Sequence, residues 1–238
     1  MNENKFINCS VLRYDSVKNN FVADNKNTSI ECSLSIYVNG NKLTESYCSP
    51  FELEDLVVGM LAQMNKINSF DDIIDMEVDY KQFTANVKIK DNISINTNKT
   101  NNNVKFCAKD ILNCADELLS KLSKTHEVTN GVHSGVIFDG KDILIYREDI
   151  GRHNVFDKLY GWSLRNHIDL SDKIIVFSGR CSSEMMKKLG HMGVPAVAAK
   201  SVPTTLSISM AKKFGITLAA RMNPGSFCIY TYPERIVL

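Results

Sequence analysis

Arg147 to Lys158, REDIGRHNVFDK, is the stretch whose reading decides the fold. Just before it, Asp142 to Tyr146 (DILIY) is a short Ile-rich apolar run of the kind that forms a buried strand. Just after it, Val155, Phe156, Leu159, Tyr160 and Ser163 recur at helical spacing. Between them Glu148, Asp149, Arg152 and His153 crowd around Gly151. A strand that ends in a glycine turn and opens a helix aims backbone N–H groups and the helix dipole at one spot. A solvated acidic–basic turn is the plain reading of such a run alone. A second constellation about 30 residues on, built to the same plan, argues for a site.

Working outward from this stretch, the chain alternates strands with helices. Val136–Phe138 and Ile143–Ile145 are short strands joined by Asp139-Gly140, a hairpin turn. Lys173 to Phe177 (KIIVF) is a buried strand running into Ser178-Gly179-Arg180-Cys181-Ser182-Ser183-Glu184, followed by a helix with Met185, Met186 and Leu189. A strand at Ala196–Ala199 leads through Ser201–Thr205 to a helix carrying Ile208, Met210 and Phe214, with Gly215 as its C-cap. Strands at Thr217–Ala220 and Phe227–Tyr232 end the chain. This grammar predicts an α/β fold with substantial parallel pairing and ligands at the carboxyl ends of the strands. The turns GRHN, SGRCSSE and SVPTT would then lie along one edge of the sheet. They bring Arg152 and His153 to Ser178, Gly179, Arg180, Ser182 and Ser183, with Ser201, Thr204 and Thr205 at a third helix start. Arg forks, hydroxyls and helix N-termini suit phosphate oxygens, although hydroxyls there are ordinarily just caps. Neither Arg-bearing turn is a Walker loop or a G-x-G-x-x-G fingerprint.

The amino-terminal part divides differently. Residues 1–29 read as an extension and 30–90 as a small α+β domain. Ile30, Cys32, Leu34, Ile36 and Val38 alternate as a strand, and Asn39-Gly40 turns it into a return strand from Leu43 to about Tyr47. Ser49-Pro50-Phe51-Glu52 predicts a helix start, with Ser as N-cap and Glu closing a capping box. Leu53, Leu56, Val57, Met60, Leu61 and Met64 make that helix's apolar stripe, and nothing in the unit resembles an active site. The Asn-rich segment within 91–106 predicts an exposed loop and the domain boundary before 107–238. Cys107 stands at the start of an amphipathic helix, where the dipole favours a thiolate; an ordinary capping residue is the alternative.

Composition narrows the class. A net charge of +1 over 238 residues gives no case for a nucleic acid or a membrane surface as partner. No apolar run reaches the ~20 residues of a membrane span. The start MNENKFINCS lacks the apolar core of a signal peptide. Seven cysteines without regular spacing argue against a disulfide framework and for a reducing cytoplasm.

REDIGRHNVFDK, SGRCSSEMMKK, SVPTTLSISMAKKFGITLAARM and IYTYPERI together resemble the formate dehydrogenase accessory protein family, FdhD/NarQ. LSIYVNG, SPFELEDLVVGML and TNGVHSG sit in family order, so the resemblance runs from about residue 30 to 236. It implies a sulfurtransferase that takes sulfur from a cysteine desulfurase and passes it to the molybdenum or tungsten bis-pterin guanine dinucleotide cofactor of formate dehydrogenase. It also implies a homodimer with a small amino-terminal domain and a carboxy-terminal three-layer α/β/α domain like that of cytidine deaminases. The family's cofactor-binding segment falls here on Arg221, Met222, Asn223, Pro224, Gly225 and Ser226. The family carries its sulfur on a cysteine in a loop between the domains. INTNKTNNN takes that place here without one. Cys107 is the nearest thiol and the candidate persulfide carrier, and Cys181, in the SGRCSSE turn, is its rival. Two other classes stand beside this reading. One is a cofactor-binding chaperone that has lost the sulfur-transfer cysteine. The other, a zinc deaminase, needs a Glu two residues after its His and a Cys-x-x-Cys pair. His133 is followed by Ser134 and Gly135, and the chain has no Cys-x-x-Cys, so no zinc is expected.

Overall fold

The computed structural model describes residues 5–91, 93, 100, 101 and 103–238. The Asn-rich loop expected within 91–106 therefore has residues 92, 94–99 and 102 outside the described residues. In chain order, β1 (Phe6–Asp15) and β2 (Asn20–Ser29) form an antiparallel hairpin where the sequence suggested a plain extension. β3 (Cys32–Val38), β4 (Asn41–Cys48), α1 (Leu53–Gln63), β5 (Ile73–Asp79) and β6 (Thr84–Ile89) follow. Their four strands make one sheet in the order β4-β3-β6-β5.

The expected capping box at the start of α1 is not there. Ser49 instead donates its N–H to Asp149 Oδ2 at 3.1 Å, and its Oγ accepts the N–H of Ile150 at 3.1 Å. The N-cap is Glu52, held in the left-handed region at φ 49°, without a side-chain cap bond. The first helical N–H, of Leu53, is satisfied by the Tyr80 hydroxyl at 3.2 Å. A tertiary contact thus replaced the local one, because Ser49 serves the other half of the chain.

That half begins with β7 (Phe106–Cys107), α2 (Ala108–Glu117), a π turn at Leu118–Leu122 and α3 (Lys124–Thr129). β8 (His133–Phe138), β9 (Ile143–Asp149) and α4 (Arg152–Arg165) come next, then β10 (Ile174–Phe177), α5 (Ser183–Met192) and β11 (Ala196–Ala199). α6 (Thr205–Phe214), β12 (Thr217–Asn223), β13 (Ser226–Ile229) and β14 (Ile236–Val237) complete the chain. The last long strand stops short of Tyr232 because the Thr231 side chain takes over its pairing. Thr231 Oγ1 accepts from Leu218 N at 2.8 Å and donates to Ile216 O at 2.7 Å.

A six-stranded sheet runs β13-β12-β11-β10-β8-β9, with β10, β11 and β12 parallel and β8 antiparallel to both β9 and β10. Its residues alternate between two buried faces. Val136, Phe138, Ile174, Val176, Ala196 and Ala198 pack with Ile111, Cys114, Ala115 and Leu118, which places α2 on one face. Ile137, Ile175, Phe177, Val197 and Leu218 pack with Phe156, Leu159, Met186 and Leu189, which places α4 and α5 on the other. The second core continues through α1 into β3 and β6, so both sheets share it. Helices α1 and α4 cross where Gly59 meets Asp157 and Gly161 meets Asp55.

Asp157, buried at this crossing, is bonded to Lys188 Nζ at 2.5 Å. Burial pushes its pKa up to about 6 from an ordinary 3.8, with Lys188 opposing. The folded carboxyl therefore holds its proton more tightly than the unfolded one. Between about pH 4 and pH 6 the unfolded chain ionises first, and stability falls as pH rises, by on the order of 2–3 kcal/mol. Urea midpoints taken across that window will show the decline in wild type and a flatter profile in Asp157→Asn. An identical slope in the variant would assign the effect to other groups.

Candidate functional site

The strand directions decide where polar residues gather. The carboxyl ends of β9, β10, β11 and β12 and the amino end of β8 lie at one edge of the sheet, as do the starts of α4, α5 and α6. At that edge lies a cavity of about 550 Å³. Arg152 enters it from the first turn of α4, Ser178, Gly179 and Arg180 from the loop after β10, and Lys200 and Ser201 from the loop after β11. The opposite wall is Leu119, Ser123, His126 and His133. Three cations and no carboxylate line it among the described residues. A low-dielectric cavity with that charge and three helix N-termini along its edge favours an anion.

Backbone bonds lock this edge. Ser178 exchanges bonds with Ser134, its N–H donating to Ser134 O at 2.9 Å and its Oγ accepting from Ser134 N at 2.8 Å. Lys200 N donates to Phe177 O at 2.9 Å and Ser201 N to Gly179 O at 3.3 Å. A side chain at Gly179 would put Cβ 2.7 Å from the Phe177 ring and 3.1 Å from His133 Nδ1, so only glycine fits between them. Burial, and then the charge of Arg152, hold His133 below its ordinary pKa. The imidazole is therefore a neutral hydrogen-bonding group near pH 7. His126 Nδ1 pairs with Val132 O at 2.9 Å, which makes that nitrogen the protonated one and leaves Nε2 as the acceptor in the neutral ring.

The residues singled out in the sequence part company here. Arg152, Ser178, Gly179 and Arg180 converge as expected. Glu148 and Asp149 do not join them. Glu148 accepts from Thr125 Oγ1 and Tyr146 Oη at 2.6 Å each, and Asp149 holds Lys158 Nζ at 2.8 Å in the interior. His153 turns away toward Glu184, 3.3 Å from its Nε2, and burial followed by Arg152 lowers its pKa. Ser182 caps α5 by position, its Oγ buried without a hydrogen-bond partner. Thr204 caps α6 in a reciprocal box with Ser207, so its hydroxyl is spent locally. Arg221 to Ser226 form the β12–β13 turn at the same edge without lining the cavity. Met222 N donates to Lys200 O at 3.1 Å, which ties this turn to the rim. The Met222 side chain belongs to the core under α2, and Asn223 Nδ2 donates to Arg221 O at 3.3 Å.

The thiols lie elsewhere. Cys107 is the N-cap of α2, half-buried, with no side-chain cap bond. Its strand β7 pairs with β14. Arg235, just before β14, donates to Gly215 O at 2.7 Å and Thr217 Oγ1 at 3.1 Å, at the amino end of β12. Cys107 is thus at the opposite edge of the sheet from the cavity. Leu119 follows it by twelve residues, a separation of ~18 Å along a helix. Cys181 is fully buried, and burial pushes its pKa up to about 12, so it is no nucleophile.

His126, His133 and Lys200 are site residues the sequence reading passed over. His133 begins a strand, and only the antiparallel placement of β8 brings a strand's start to this edge. A second cavity of about 550 Å³, lined in part by Phe51, Tyr80, Phe83, Arg147 and Arg165, stands at the start of α1, where no site was expected. Both of its arginines are bonded to Asp55, Arg147 through Nε at 2.8 Å and Arg165 through Nη1 at 2.5 Å. Its cations are thereby matched within the fold.

A sequence model of the FdhD/NarQ family matches residues 29–105 and 90–237. The chain is 32% identical to the sulfur carrier protein FdhD of Staphylococcus aureus strain Newman, over all of this chain and 98% of that protein. It is 31% identical to the protein of the same description from strain MRSA252, with the same coverage. The alignment to the first runs over 264 positions against 238 residues here, so at least 26 of its positions face a gap in this chain. Among solved structures, a putative formate dehydrogenase accessory protein from Desulfotalea psychrophila shares the fold. Its TM-score is 0.86 at 23% identity, covering 98% of this chain and 99% of the other.

Proposed function

The chain belongs to the FdhD/NarQ family, and from that premise we propose that it supports formate dehydrogenase maturation as a cytoplasmic sulfur carrier, most simply as a homodimer. It takes sulfur from a cysteine desulfurase and gives it to a molybdenum or tungsten bis-pterin guanine dinucleotide cofactor held at the sheet edge. The observation that carries the reading is the convergence of Arg152, Arg180 and Lys200 on one cavity without a carboxylate. Its volume suits one nucleotide arm of such a molecule. The two guanidinium groups would bind its phosphate oxygens, Ser201 would add a hydroxyl, and the neutral His133 would orient a polar edge. The carboxy-terminal domain is read as cytidine deaminase-like on the same grounds of family, with the zinc chemistry gone.

Guanosine diphosphate, the fragment of the cofactor that carries both base and phosphates, tests the placement. Arg152→Ala and Arg180→Ala should each weaken its binding by roughly 1.5–3 kcal/mol, the range for a charge-assisted hydrogen bond. Calorimetric affinities unchanged in both variants would remove the ligand from this cavity.

One observation favours the second reading, a cofactor-holding chaperone without sulfur chemistry. Cys107, the thiol nearest the family's carrier loop, is ~18 Å of helix from the cavity. Incubation with a cysteine desulfurase and cysteine, followed by mass spectrometry of each thiol, separates the two. The carrier reading expects a persulfide that disappears in Cys107→Ala while nucleotide binding stays intact. No adduct on any thiol, with cofactor still bound, establishes the chaperone.

A further inference from the structure

Cys32 and Cys48 face one another in the interior with their sulfur atoms 3.6 Å apart. They are directly paired residues of the antiparallel strands β3 and β4. Directly opposed residues of such a pair have Cα atoms about 4.5–5.5 Å apart, within the range a disulfide spans. Closing the sulfur atoms from 3.6 Å to the ~2.05 Å of a bond therefore needs side-chain rotation and a shift of the two strand ends toward each other. Each thiol also sits where its strand can open. Cys32 is the first residue of β3, and Cys48 is the last of β4, an edge strand. Strand ends at a sheet edge open locally at far lower cost than the whole fold.

Cys48 is more than a packing residue because both of its chain neighbours are bonded to the segment that delivers Arg152. Tyr47 O accepts from Asn154 Nδ2 at 2.9 Å. Ser49 N donates to Asp149 Oδ2, and Ser49 Oγ accepts from Ile150 N, both at 3.1 Å. Three hydrogen bonds thus connect the end of β4 to residues 149–154, and Arg152 lies in the middle of them. We propose that Cys32 and Cys48 are a disulfide-forming modification site, and that closing the bond displaces the segment from Asp149 to Asn154.

The chemistry is thiol–disulfide exchange with a low-molecular-weight disulfide as oxidant. The Cys32 thiolate attacks one sulfur of the oxidant and expels the other half as a thiolate. Cys48 then gives up its proton and attacks Cys32 Sγ, expelling the second half. Two protein thiols are oxidised to one disulfide, the oxidant's disulfide is reduced to two thiols, and the two protons leave with them. Cys32 keeps 6% of its surface exposed where Cys48 has none, which makes Cys32 the thiol an oxidant reaches first. The result for the cavity, a displaced Arg152, rests on the anion-binding reading. The cross-link and the motion do not.

The test uses the full chain treated with oxidised glutathione, mapped by mass spectrometry without reduction, with amide hydrogen exchange measured on both forms. The expected result is a peptide carrying Cys32 joined to the peptide carrying Cys48, two hydrogens lighter than the separate pair. Exchange at the Ile150 and Gly151 amides should rise about five-fold or more in the oxidised form, the low end of ordinary site-to-site coupling. Cys48→Ala should show no rise with oxidant. Finding both thiols still free overturns the site, and a cross-link with unchanged exchange overturns the coupling. A rise that persists in Cys48→Ala assigns the motion to another thiol and overturns the proposal as well. Should Cys48→Ala fail to fold, the wild-type map and exchange rates decide alone.

Discussion

Gly161→Ala and Gly59→Ala will each destabilise this protein by more than about 3 kcal/mol. A Cβ at Gly161 would stand 1.8 Å from Asp55 O and 2.7 Å from Gly59 N, and one at Gly59 would stand 1.8 Å from Asp157 O. These are backbone atoms, so no change of rotamer relieves the contact. Helices usually pack with axes 8–10 Å apart, and α1 and α4 approach closely enough for backbone to touch backbone. To admit a methyl group they must part, which opens the core around Leu56, Val57, Phe156 and Tyr160 that joins the two sheets. Overpacking a side chain costs about 1–3 kcal/mol. A rigid backbone clash should exceed the top of that range, against a net stability of about 5–15 kcal/mol. Gly190→Ala is the comparison, because there Cβ would meet the Phe214 ring at 2.8 Å, and a side chain can move aside. Urea midpoints will rank Gly161→Ala and Gly59→Ala far below Gly190→Ala. A melting temperature for Gly161→Ala within about 4 °C of wild type would contradict the packing argument.

These two glycines show what the sequence alone withholds. Gly59 lies inside an apolar helical stripe, VVGML, where nothing local distinguishes a close helix crossing from a simple weak point. Local grammar was legible wherever period and turn chemistry decide structure. The alternating run at Cys32–Val38 and the continuous apolar run at Ile174–Phe177 are strands, Gly215 is the left-handed C-cap of α6 at φ 70°, and Cys107 opens α2. The convergence of Arg152, Ser178 and Arg180 was legible too, because parallel strands bring their following loops to one edge. Ser49 was misread because a Ser-Pro-x-Glu run satisfies every local rule for a cap, while its hydrogen bonds go to residues a hundred positions away. The separation of Cys107 from the cavity was equally hidden. It depends on the path of α2 across a sheet whose strand order no spacing in the sequence encodes. Of the REDIGRHN run, Arg152 reaches the cavity, whereas the acidic residues hold the turn in place.

Asp149 is the residue on which that turn rests, and replacing it will cost far more than replacing its ionic partner. Asp149 and Lys158 are both fully buried and joined at 2.8 Å. Asp149 Oδ1 accepts from Gly151 N at 2.9 Å and Asn154 Nδ2 at 2.8 Å, and Oδ2 accepts from Ser49 N at 3.1 Å besides Lys158. In Lys158→Met the carboxylate keeps those three N–H donors, and the methionine follows the path of the lysine stem. Asp149→Asn is nearly isosteric, yet its amide N–H group replaces Oδ2 and faces two donors, Ser49 N–H and the Lys158 ammonium. The ammonium then retains Glu148 O at 3.1 Å and its longer ion pair with Glu52 at 3.6 Å, and loses its one short carboxylate contact. Breaking a buried ion pair from the side that strands a charge costs about 3–5 kcal/mol, whereas removing a charge whose partner stays solvated by N–H groups costs less. Asp149→Asn should therefore lose about 3–5 kcal/mol and Lys158→Met less than half as much. In the double variant Asp149→Asn/Lys158→Met no ammonium is left to strand, so it should recover part of the Asn loss, a coupling of more than about 1 kcal/mol in the cycle. Because Gly151 and Asn154 flank Arg152, Asp149→Asn should also weaken guanosine diphosphate binding under conditions where it is folded, and Lys158→Met should not. Equal losses of stability in the two single variants would mean that the ion pair, rather than the N–H cage around Asp149, positions the turn.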